Sequence, residues 1–357
     1  MAIIRSNVAA AAGYVPGEQP MGGDVIKLNT NENPYSPSPR VMEAIRAVTA
    51  EQLRRYPSPS GEAFRKAAAG VHGVGADWIL PFNGGDELLS VAIRAAAGET
   101  DAVAFLEPSY SLYPVLAEMN GSRKVVLSYE IEGVEWRLPR GVEEVKASVL
   151  LVVNPNAPSG HLDPVGRLME IAERFKGLLV IDEAYVDFAP VNALEVVKRF
   201  SNVVILRTMS KGYSLAGLRF GYAIGQPTLL RELAKVRDSY PVDAVATAAA
   251  TAGISDQAYA RETWEKVKRE RARLSGELQK MGFVMPESAS NFLLATVPGG
   301  GGMTGRGVYE AMKSKGILIR WWDLPRISDK VRITVGTPEQ NDRLIAELRR
   351  ELATDRH

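Results

Sequence analysis

Residues 148–155 read SVLLVVNP, residues 178–185 read LLVIDEAY and residues 202–210 read NVVILRTMS. Each stretch is apolar almost without interruption and ends in polar residues. Strands of this kind are covered on both faces by helices, and stretches with helical periodicity separate them along the chain. The alternation therefore predicts an α/β fold built on a parallel central sheet.

Other stretches extend this prediction. AVAFLEP around Val103, KVVLSY from Lys124 and RFGYAIG from Arg219 predict strands of the same sheet, and the pattern is helical from about residue 229 to 281. After that, NFLLATV, GILIRWW and KVRITVG predict three short strands, and a last helix is expected to begin at Pro338. We therefore expect a large domain at residues 45–250, with a mostly parallel sheet flanked by helices. A smaller α+β domain would combine residues 1–44 and 251–357.

The charges of the chain nearly cancel. Its 43 Lys and Arg against 42 Asp and Glu leave a net charge of +1, so no overall field would attract nucleic acid or an anionic membrane. There is no Cys, and the three His, at positions 72, 161 and 357, are too scattered for a metal cluster. No stretch reaches about 20 uninterrupted apolar residues. We expect a cytoplasmic protein with no metal, no nucleic acid and no membrane partner, which binds any anion at a local site.

The most informative motif is RTMSKGYSLAGLRFGY, in which Thr208, Ser210 and Lys211 end a strand and Arg219 follows eight residues later. Burial at such a strand end disfavours an ammonium, lowers its pKa and makes the amine a better nucleophile, as Schiff-base chemistry requires. The hydroxyls and the guanidinium are suited to a phosphate. The alternative is an ordinary Lys at a strand end with an Arg on a loop.

Two other strand ends carry polar candidates. Asp182 and Tyr185 follow an apolar run, where a carboxylate needs either solvent or a cationic partner such as a protonated ring nitrogen. The alternative is that Asp182 caps a helix or pairs with a surface Arg. Asn154 lies at the carboxyl end of its strand, where open α/β sheets bind ligands.

A possible phosphate site precedes a predicted helix. Gly84, Gly85 and Asp86 run directly into LLSVAIRAAA, so exposed backbone N–H groups and the positive end of the helix dipole are available to an anion. The same residues would also make a good turn and helix cap.

Taken together, these segments resemble the fold-type I pyridoxal-phosphate aminotransferases over nearly the whole chain and in the same order. The matching residues are Asn154 in NPNAPSG, Asp182 and Tyr185 in DEAY, Lys211 in SKGYSLAGLR, Arg219, and Arg332 in VRITVGT. Within that superfamily the chain is most similar to the histidinol-phosphate aminotransferases, through YVPG at 14–17, LNTNENPYSPSP, RRYPSPSG, GGDELL, EPSYSLY and GILIRWWD. It departs from the usual pattern at Gly85, where a small polar residue is common, and at Gly212, where Ala is common.

The resemblance implies the cofactor pyridoxal 5'-phosphate and a role for each site residue. Lys211 would bond to the cofactor and later move the proton, Asp182 would keep the ring nitrogen charged, and Asn154 and Tyr185 would bind the phenolic oxygen. The cofactor phosphate would be held by Gly84, Gly85, Asp86, Thr208, Ser210 and Arg219. Tyr110 would stack on the ring. Tyr56 would reach the phosphate in the other subunit of a homodimer.

The substrate residues implied are Tyr14, Asn33, Arg320 and Arg332. One Arg suffices for an α-carboxylate, whereas two Arg on strands expected to be neighbours suit a dianionic phosphate. The alternative for Arg320 is a solvated charge at a strand end, and Trp321 and Trp322 are expected to be packing or rim residues.

The expected reaction converts histidinol phosphate and 2-oxoglutarate to imidazole-acetol phosphate and glutamate, with an amino donor and a 2-oxo acid as small-molecule partners. An aromatic amino acid aminotransferase and a decarboxylase of a phosphorylated amino acid are alternatives on the same scaffold. A non-catalytic regulatory protein would need an added basic module, which the short arm before residue 29 is not expected to supply.

Overall fold

The computed structural model describes residues 3–19, 24–299 and 303–354. The strands of these residues are β1 (Ile26–Lys27), β2 (Ile79–Phe82), β3 (Ala102–Glu107), β4 (Arg123–Ser128), β5 (Glu130–Glu132), β6 (Glu135–Arg137), β7 (Val149–Val153), β8 (Leu178–Asp182), β9 (Val203–Thr208), β10 (Gly221–Gly225), β11 (Phe292–Thr296), β12 (Ile317–Leu318) and β13 (Lys330–Thr334). The helices are α1 (Ser6–Ala10), α2 (Pro39–Arg46), α3 (Ala50–Leu53), α4 (Glu62–His72), α5 (Gly84–Ala96), α6 (Leu112–Asn120), α7 (Val165–Arg174), α8 (Leu194–Arg199), α9 (Pro227–Val236), α10 (Ala244–Ser255), α11 (Gln257–Lys280), α12 (Gly305–Ser314) and α13 (Pro338–Thr354).

A mostly parallel sheet forms the centre of the fold, as predicted. Its strand order is β2-β10-β9-β8-β7-β3-β4. Only β10 runs antiparallel to its neighbours, because the chain returns from β9 without a crossover helix. The edge strand β2 was missed by sequence reasoning, since it is four residues long and contains Pro81, which is unusual inside a sheet.

Alternate residues of each central strand face opposite layers of the core. On β8, Leu179 and Ile181 pack into one apolar cluster, and Leu178 and Val180 pack into the other. This explains why four consecutive residues of the strand, 178–181, are apolar, rather than every second one.

The carboxyl ends of the parallel strands meet at one edge of the sheet. The chain runs from β7 through β8 to β9 in one direction and from β3 to β4 in the other, so the order reverses between β3 and β7. Ligands of open α/β sheets bind in the crevice outside such a reversal.

A separate apolar cluster lies outside the large sheet. It includes Ile26, Leu28 and residues between 274 and 348, with β11 and β13 pairing antiparallel and β1 pairing parallel with β12. Val41 and Ala260 instead pack into the core of the large sheet. The three predicted C-terminal strands are present, although regular pairing in GILIRWW is confined to β12 and a bridge at Arg320. The exact domain boundaries stay a prediction, and residues 1–2, 20–23, 300–302 and 355–357 of the predicted small domain lie outside the described residues.

None of the helices in the described part of the chain is both long and apolar enough to cross a bilayer.

A buried ion pair links the ends of the two strands that carry the main candidate residues. Glu183, next to Asp182, contacts Arg207, next to Thr208, at 2.7 Å between Oε2 and Nε. The other carboxylate oxygen of Glu183 accepts a hydrogen bond from the backbone N–H of Ala193 at 2.6 Å. Because both charged groups are buried, each depends on the other for compensation.

Replacing Glu183 by Ala should lower the free energy of unfolding by about 3 kcal/mol, since Arg207 would remain buried without its charge partner. The control Glu232→Ala removes the exposed partner of Lys235 and should cost less than about 1 kcal/mol. Urea unfolding measures both values. Equal losses in the two variants would contradict the role given to the buried pair.

Candidate active site

A cavity of about 640 Å³ opens at the carboxyl edge of the sheet. Twelve of the predicted site residues line it, and they are Tyr14, Gly85, Asp86, Tyr110, Asp182, Tyr185, Thr208, Ser210, Lys211, Arg219, Arg320 and Arg332. Residues far apart in sequence are thus brought to one wall, as the positions of the strand ends predict.

Lys211 places its amine inside this cavity. Its Nζ donates a hydrogen bond to the backbone carbonyl of Thr30 at 2.9 Å. The pKa of the Lys211 ammonium is lowered to about 8, mainly by burial and to a smaller extent by the nearby Arg332 guanidinium. A substantial neutral fraction is therefore available near physiological pH, as a nucleophile or general base requires.

Asp182 is a buried carboxylate at the end of β8. Tyr113 donates to its Oδ2 at 2.8 Å, and the backbone N–H of Ala184 donates to its Oδ1 at 3.0 Å. Burial raises the pKa of Asp182 to about 6, although these two hydrogen bonds act to lower it. Tyr113 was missed by sequence reasoning, although it lies three residues after Tyr110 in EPSYSLY.

Tyr185 is held from the N-terminal segment. The Nδ2 of Asn31 donates to the Tyr185 hydroxyl at 3.0 Å, and the Oδ1 of Asn31 accepts from the Thr334 hydroxyl at 3.0 Å. Asn31 adopts a left-handed backbone conformation with φ of 57°, which Asn tolerates better than most residues. Its place in LNTNENPYSPSP is the signal that could have identified it.

The start of α5 forms a corner whose groups suit an anion. Gly84 has φ of +81°, and a Cβ there would lie 2.8 Å from Nη2 of Arg219. The Thr208 hydroxyl donates to Ser210 Oγ at 3.0 Å, and Arg219 pairs with Asp86 at 3.1 Å. Hydroxyls, a guanidinium and a helix N-terminus therefore converge here.

The two departures from the family pattern have packing reasons. A Cβ at Gly85 would lie 3.1 Å from a methyl group of Leu206, a tight contact that the Leu206 side chain could relieve only by shifting a few tenths of an ångström. A Cβ at Gly212 would lie 2.0 Å from Oδ2 of Asp187. Each glycine is therefore matched to a particular neighbour in this chain.

Tyr110 lines the cavity beside Tyr14. Its hydroxyl donates to Oδ1 of Asp86 at 3.2 Å, and its ring meets the Tyr14 ring edge-on with 6.0 Å between centroids. Burial raises the pKa of Tyr110, so its hydroxyl stays protonated. Stacking of this ring on a cofactor stays a prediction.

Four predicted site residues are not among those that line the cavity. Gly84 directly precedes Gly85 in the sequence. Asn154 accepts a hydrogen bond at Oδ1 from the backbone N–H of Asp163 at 2.8 Å, and its Nδ2 donates to the Asp163 carbonyl at 3.2 Å. Asn33 donates to the carbonyl of Gly212 at 3.3 Å. Tyr56 is 82% exposed and therefore lies outside the cavity. Their roles remain predictions.

Arg320 and Arg332 lie opposite each other on paired backbone, as predicted. The N–H of each donates to the carbonyl of the other, at 3.0 and 2.8 Å. Neither guanidinium forms an ion pair with a carboxylate of the described residues. Nε of Arg332 is buried without a hydrogen-bond partner, and burial lowers the pKa of Arg332 to about 10. Two uncompensated cations facing one cavity favour an anionic ligand.

The lining residues that sequence reasoning did not place in the site include Thr30, Trp322 and Arg326. Thr30 carries a buried hydroxyl without a partner. Trp322 was expected to be a packing or rim residue; it packs on the core of the large sheet and also forms part of the cavity wall. The described residues contain no group of three or more His, Cys, Asp or Glu suited to a metal ion.

Comparisons with known proteins agree with this arrangement. Residues 23–348 match the family model for class I and II aminotransferases. The chain is 48% identical over 348 residues to "Histidinol-phosphate aminotransferase 1" of a Nostoc species, covering 97% of each chain. It is 43% identical over 354 residues to "Histidinol-phosphate aminotransferase" of Citrifermentans bemidjiense, covering 98% of each.

Solved structures give the same result. The histidinol-phosphate aminotransferase of Sinorhizobium meliloti, solved in complex with pyridoxal-5'-phosphate, superposes with a TM-score of 0.85 at 27% identity, over 92% of this chain and 91% of that one. This chain therefore belongs to the class I and II aminotransferase family and, within it, to the histidinol-phosphate aminotransferases.

Proposed function

We propose that this aminotransferase binds pyridoxal 5'-phosphate in the cavity and interconverts histidinol phosphate and 2-oxoglutarate with imidazole-acetol phosphate and glutamate. The observation that carries the choice of substrate is the pair Arg320 and Arg332, which face the cavity without a carboxylate partner among the described residues. The names of the curated relatives support the same choice.

The residues present fit the proposed cofactor. The corner at Gly84 and Gly85 is free of Cβ atoms and adjoins Arg219, which suits a phosphate. On the other side of the cavity, the buried Asp182 has a raised pKa and would gain from a cationic ring nitrogen. The amine of Lys211 lines the same cavity, so the phosphate corner, the carboxylate and the amine occur together.

When bound, pyridoxal phosphate supplies an electron sink for the bond that breaks at the substrate Cα. Asp182 holds a proton at the ring nitrogen, and Tyr185 donates toward the phenolic oxygen. Lys211 would serve as general base and acid, with its Nζ accepting the proton from the substrate Cα and later releasing it. Burial of the Lys211 amine keeps part of it neutral for the first of these transfers.

The two guanidiniums favour a phosphorylated substrate over an amino acid that carries only an α-carboxylate. A single Arg can grip an α-carboxylate with two parallel hydrogen bonds, whereas the dianionic phosphate of histidinol phosphate can engage both Arg320 and Arg332. The unpartnered buried hydroxyl of Thr30 and Nε of Arg332 supply further donors at this end of the cavity.

We further propose a cytoplasmic homodimer in which Tyr56 of each subunit serves the site of the other. Tyr56 lies outside its own cavity and stacks on Tyr240, with 4.6 Å between ring centroids. Leu53, 61% exposed, is on the same segment. Large exposed apolar side chains close together are typical of a surface that binds a partner.

Lys211→Ala should lower kcat by at least about 10³-fold, because the variant loses both the nucleophile and the general base. Borohydride reduction of the holoenzyme followed by peptide mapping should place the pyridoxyl group on Lys211. The exposed Lys235→Ala serves as the control and should retain full activity. Transaminase activity in Lys211→Ala, or labelling of another Lys, would show that the proposed mechanism is wrong.

Arg320→Ala should raise KM for histidinol phosphate by about 10- to 100-fold and KM for glutamate much less, since the loss of one guanidinium leaves a dianion half-compensated. Steady-state kinetics with both substrates measure the difference, with Arg349→Ala as the control because Arg349 pairs with Glu277 on the surface.

Two outcomes of these kinetics would favour the alternative reactions. Comparable kcat/KM for histidinol phosphate and for phenylalanine or tyrosine would indicate an aromatic aminotransferase. Release of carbon dioxide from a phosphorylated amino acid would indicate a decarboxylase.

Tyr56→Phe should weaken cofactor binding by about tenfold, because one hydrogen bond to a charged phosphate is lost. A mixed dimer of Tyr56→Phe and Lys211→Ala tests from which subunit the hydroxyl comes. If Tyr56 crosses the interface, the one site with Lys211 receives an intact Tyr56 and regains wild-type cofactor affinity. Weak binding in that mixed dimer, or a fully active monomer by light scattering, would contradict the proposal.

A further inference from the structure

Arg320 and Arg332 place two positive charges close together on paired backbone, and some feature of the structure has to stabilise this arrangement. Their backbones exchange two hydrogen bonds, at 3.0 and 2.8 Å, and in such an antiparallel pair both side chains point to the same face. Like charges directly opposite each other destabilise a pair of strands. No described carboxylate forms an ion pair with either guanidinium. Arg332 donates to the carbonyl of Asn29 at 2.9 Å and has its Cζ 5.1 Å from the centroid of the Phe292 ring, but neither group contacts Arg320.

The indole ring of Trp322 lies close to both guanidiniums. The Cζ atom of Arg320 is 5.4 Å from the ring centroid, and the Cζ atom of Arg332 is 5.1 Å from it. The electron-rich face of a Trp ring attracts cations at such distances, and Trp is the strongest of the aromatic residues in this respect. Trp322 also lines the cavity that both Arg residues face, so all three side chains meet at its wall.

The adjacent Trp321 has a different environment. Its indole N–H donates to the backbone carbonyl of Ser328 at 2.8 Å, and its ring stacks on Tyr309 with 6.4 Å between centroids. It packs on the apolar cluster of the C-terminal strands, whereas Trp322 packs on the core of the large sheet. The two adjacent Trp side chains therefore pack on different parts of the fold.

We infer that Trp322 is a positioning residue for phosphate recognition, whose ring holds the two guanidiniums together so that both bind one dianion. The inference rests on the proposed function, because it assigns a specificity determinant to the same site. Without the aromatic face, the two cations separate and a phosphate engages only one of them. The adjacent Trp321 has no part in this, although it is equally large and aromatic.

The test compares holoenzymes of the wild type, Trp322→Leu, Trp322→Phe and Trp321→Leu. Measurements are KM and kcat for histidinol phosphate and the inhibition constant of inorganic phosphate, with the cofactor bound so that its own phosphate site is filled. Trp322→Leu should raise KM and the inhibition constant by about tenfold and change kcat less than about threefold. Trp322→Phe keeps a π face and should stay close to wild type, as should Trp321→Leu.

A defect of folding alone would lower kcat and cofactor content as well, so the separation of KM from kcat distinguishes positioning from general damage. If Trp322→Leu does not fold, Trp322→Met removes the π face at a more similar volume and replaces it in the comparison. Wild-type phosphate inhibition in Trp322→Leu, or equal damage in Trp322→Phe and Trp322→Leu, would overturn the inference.

The phosphate measurement also separates this inference from the proposed function. A wild-type enzyme that does not turn over histidinol phosphate refutes the proposed reaction, while phosphate inhibition of the reaction of glutamate with the bound cofactor still decides the role of the Trp322 ring.

Discussion

A sheet covered by apolar side chains on both faces leaves one edge for polar groups to meet a ligand. The interior of β7, β8 and β9 is filled by aliphatic side chains that pack in two layers. Polar residues within those strands would be buried without partners, so they occur where the strands end. Asp182 and Lys211 therefore reach the same cavity from neighbouring strand ends. The position of the active site follows from burial of the sheet together with the reversal of strand order between β3 and β7.

Burial has opposite effects on the acid and the base in this cavity. It raises the pKa of Asp182 to about 6 and lowers the pKa of Lys211 to about 8. Both groups are thus shifted toward their neutral forms, for the same reason of lost hydration. The carboxylate regains its charge most readily when a cation faces it. The amine needs no such partner, because its neutral form is the reactive one.

Neighbouring side chains account for features that are particular to this chain. Gly85 accommodates Leu206, and Gly212 leaves room for the carboxylate of Asp187. At the opposite side of the cavity, Trp322 lies beside Arg320 and Arg332, which have no carboxylate partner in the described part of the chain. In each case a contact with a residue elsewhere along the chain is involved, which is Leu206 for Gly85, Asp187 for Gly212 and Arg332 for Trp322.

The sequence by itself determined the fold class, the strands of the large sheet other than β2, and twelve residues of the cavity wall, because these are read from local patterns and motifs. An apolar run ending in Asp182 or Lys211 is visible along the chain, and the spacing of Arg320 and Arg332 predicts neighbouring strands. Only the tertiary structure decided the contacts between distant segments. Asn31 donates to Tyr185 and Tyr113 donates to Asp182 across many residues of sequence. The separate environments of Trp321 and Trp322 were also undecided by sequence, since which face of extended chain meets a cavity depends on how the strands pack.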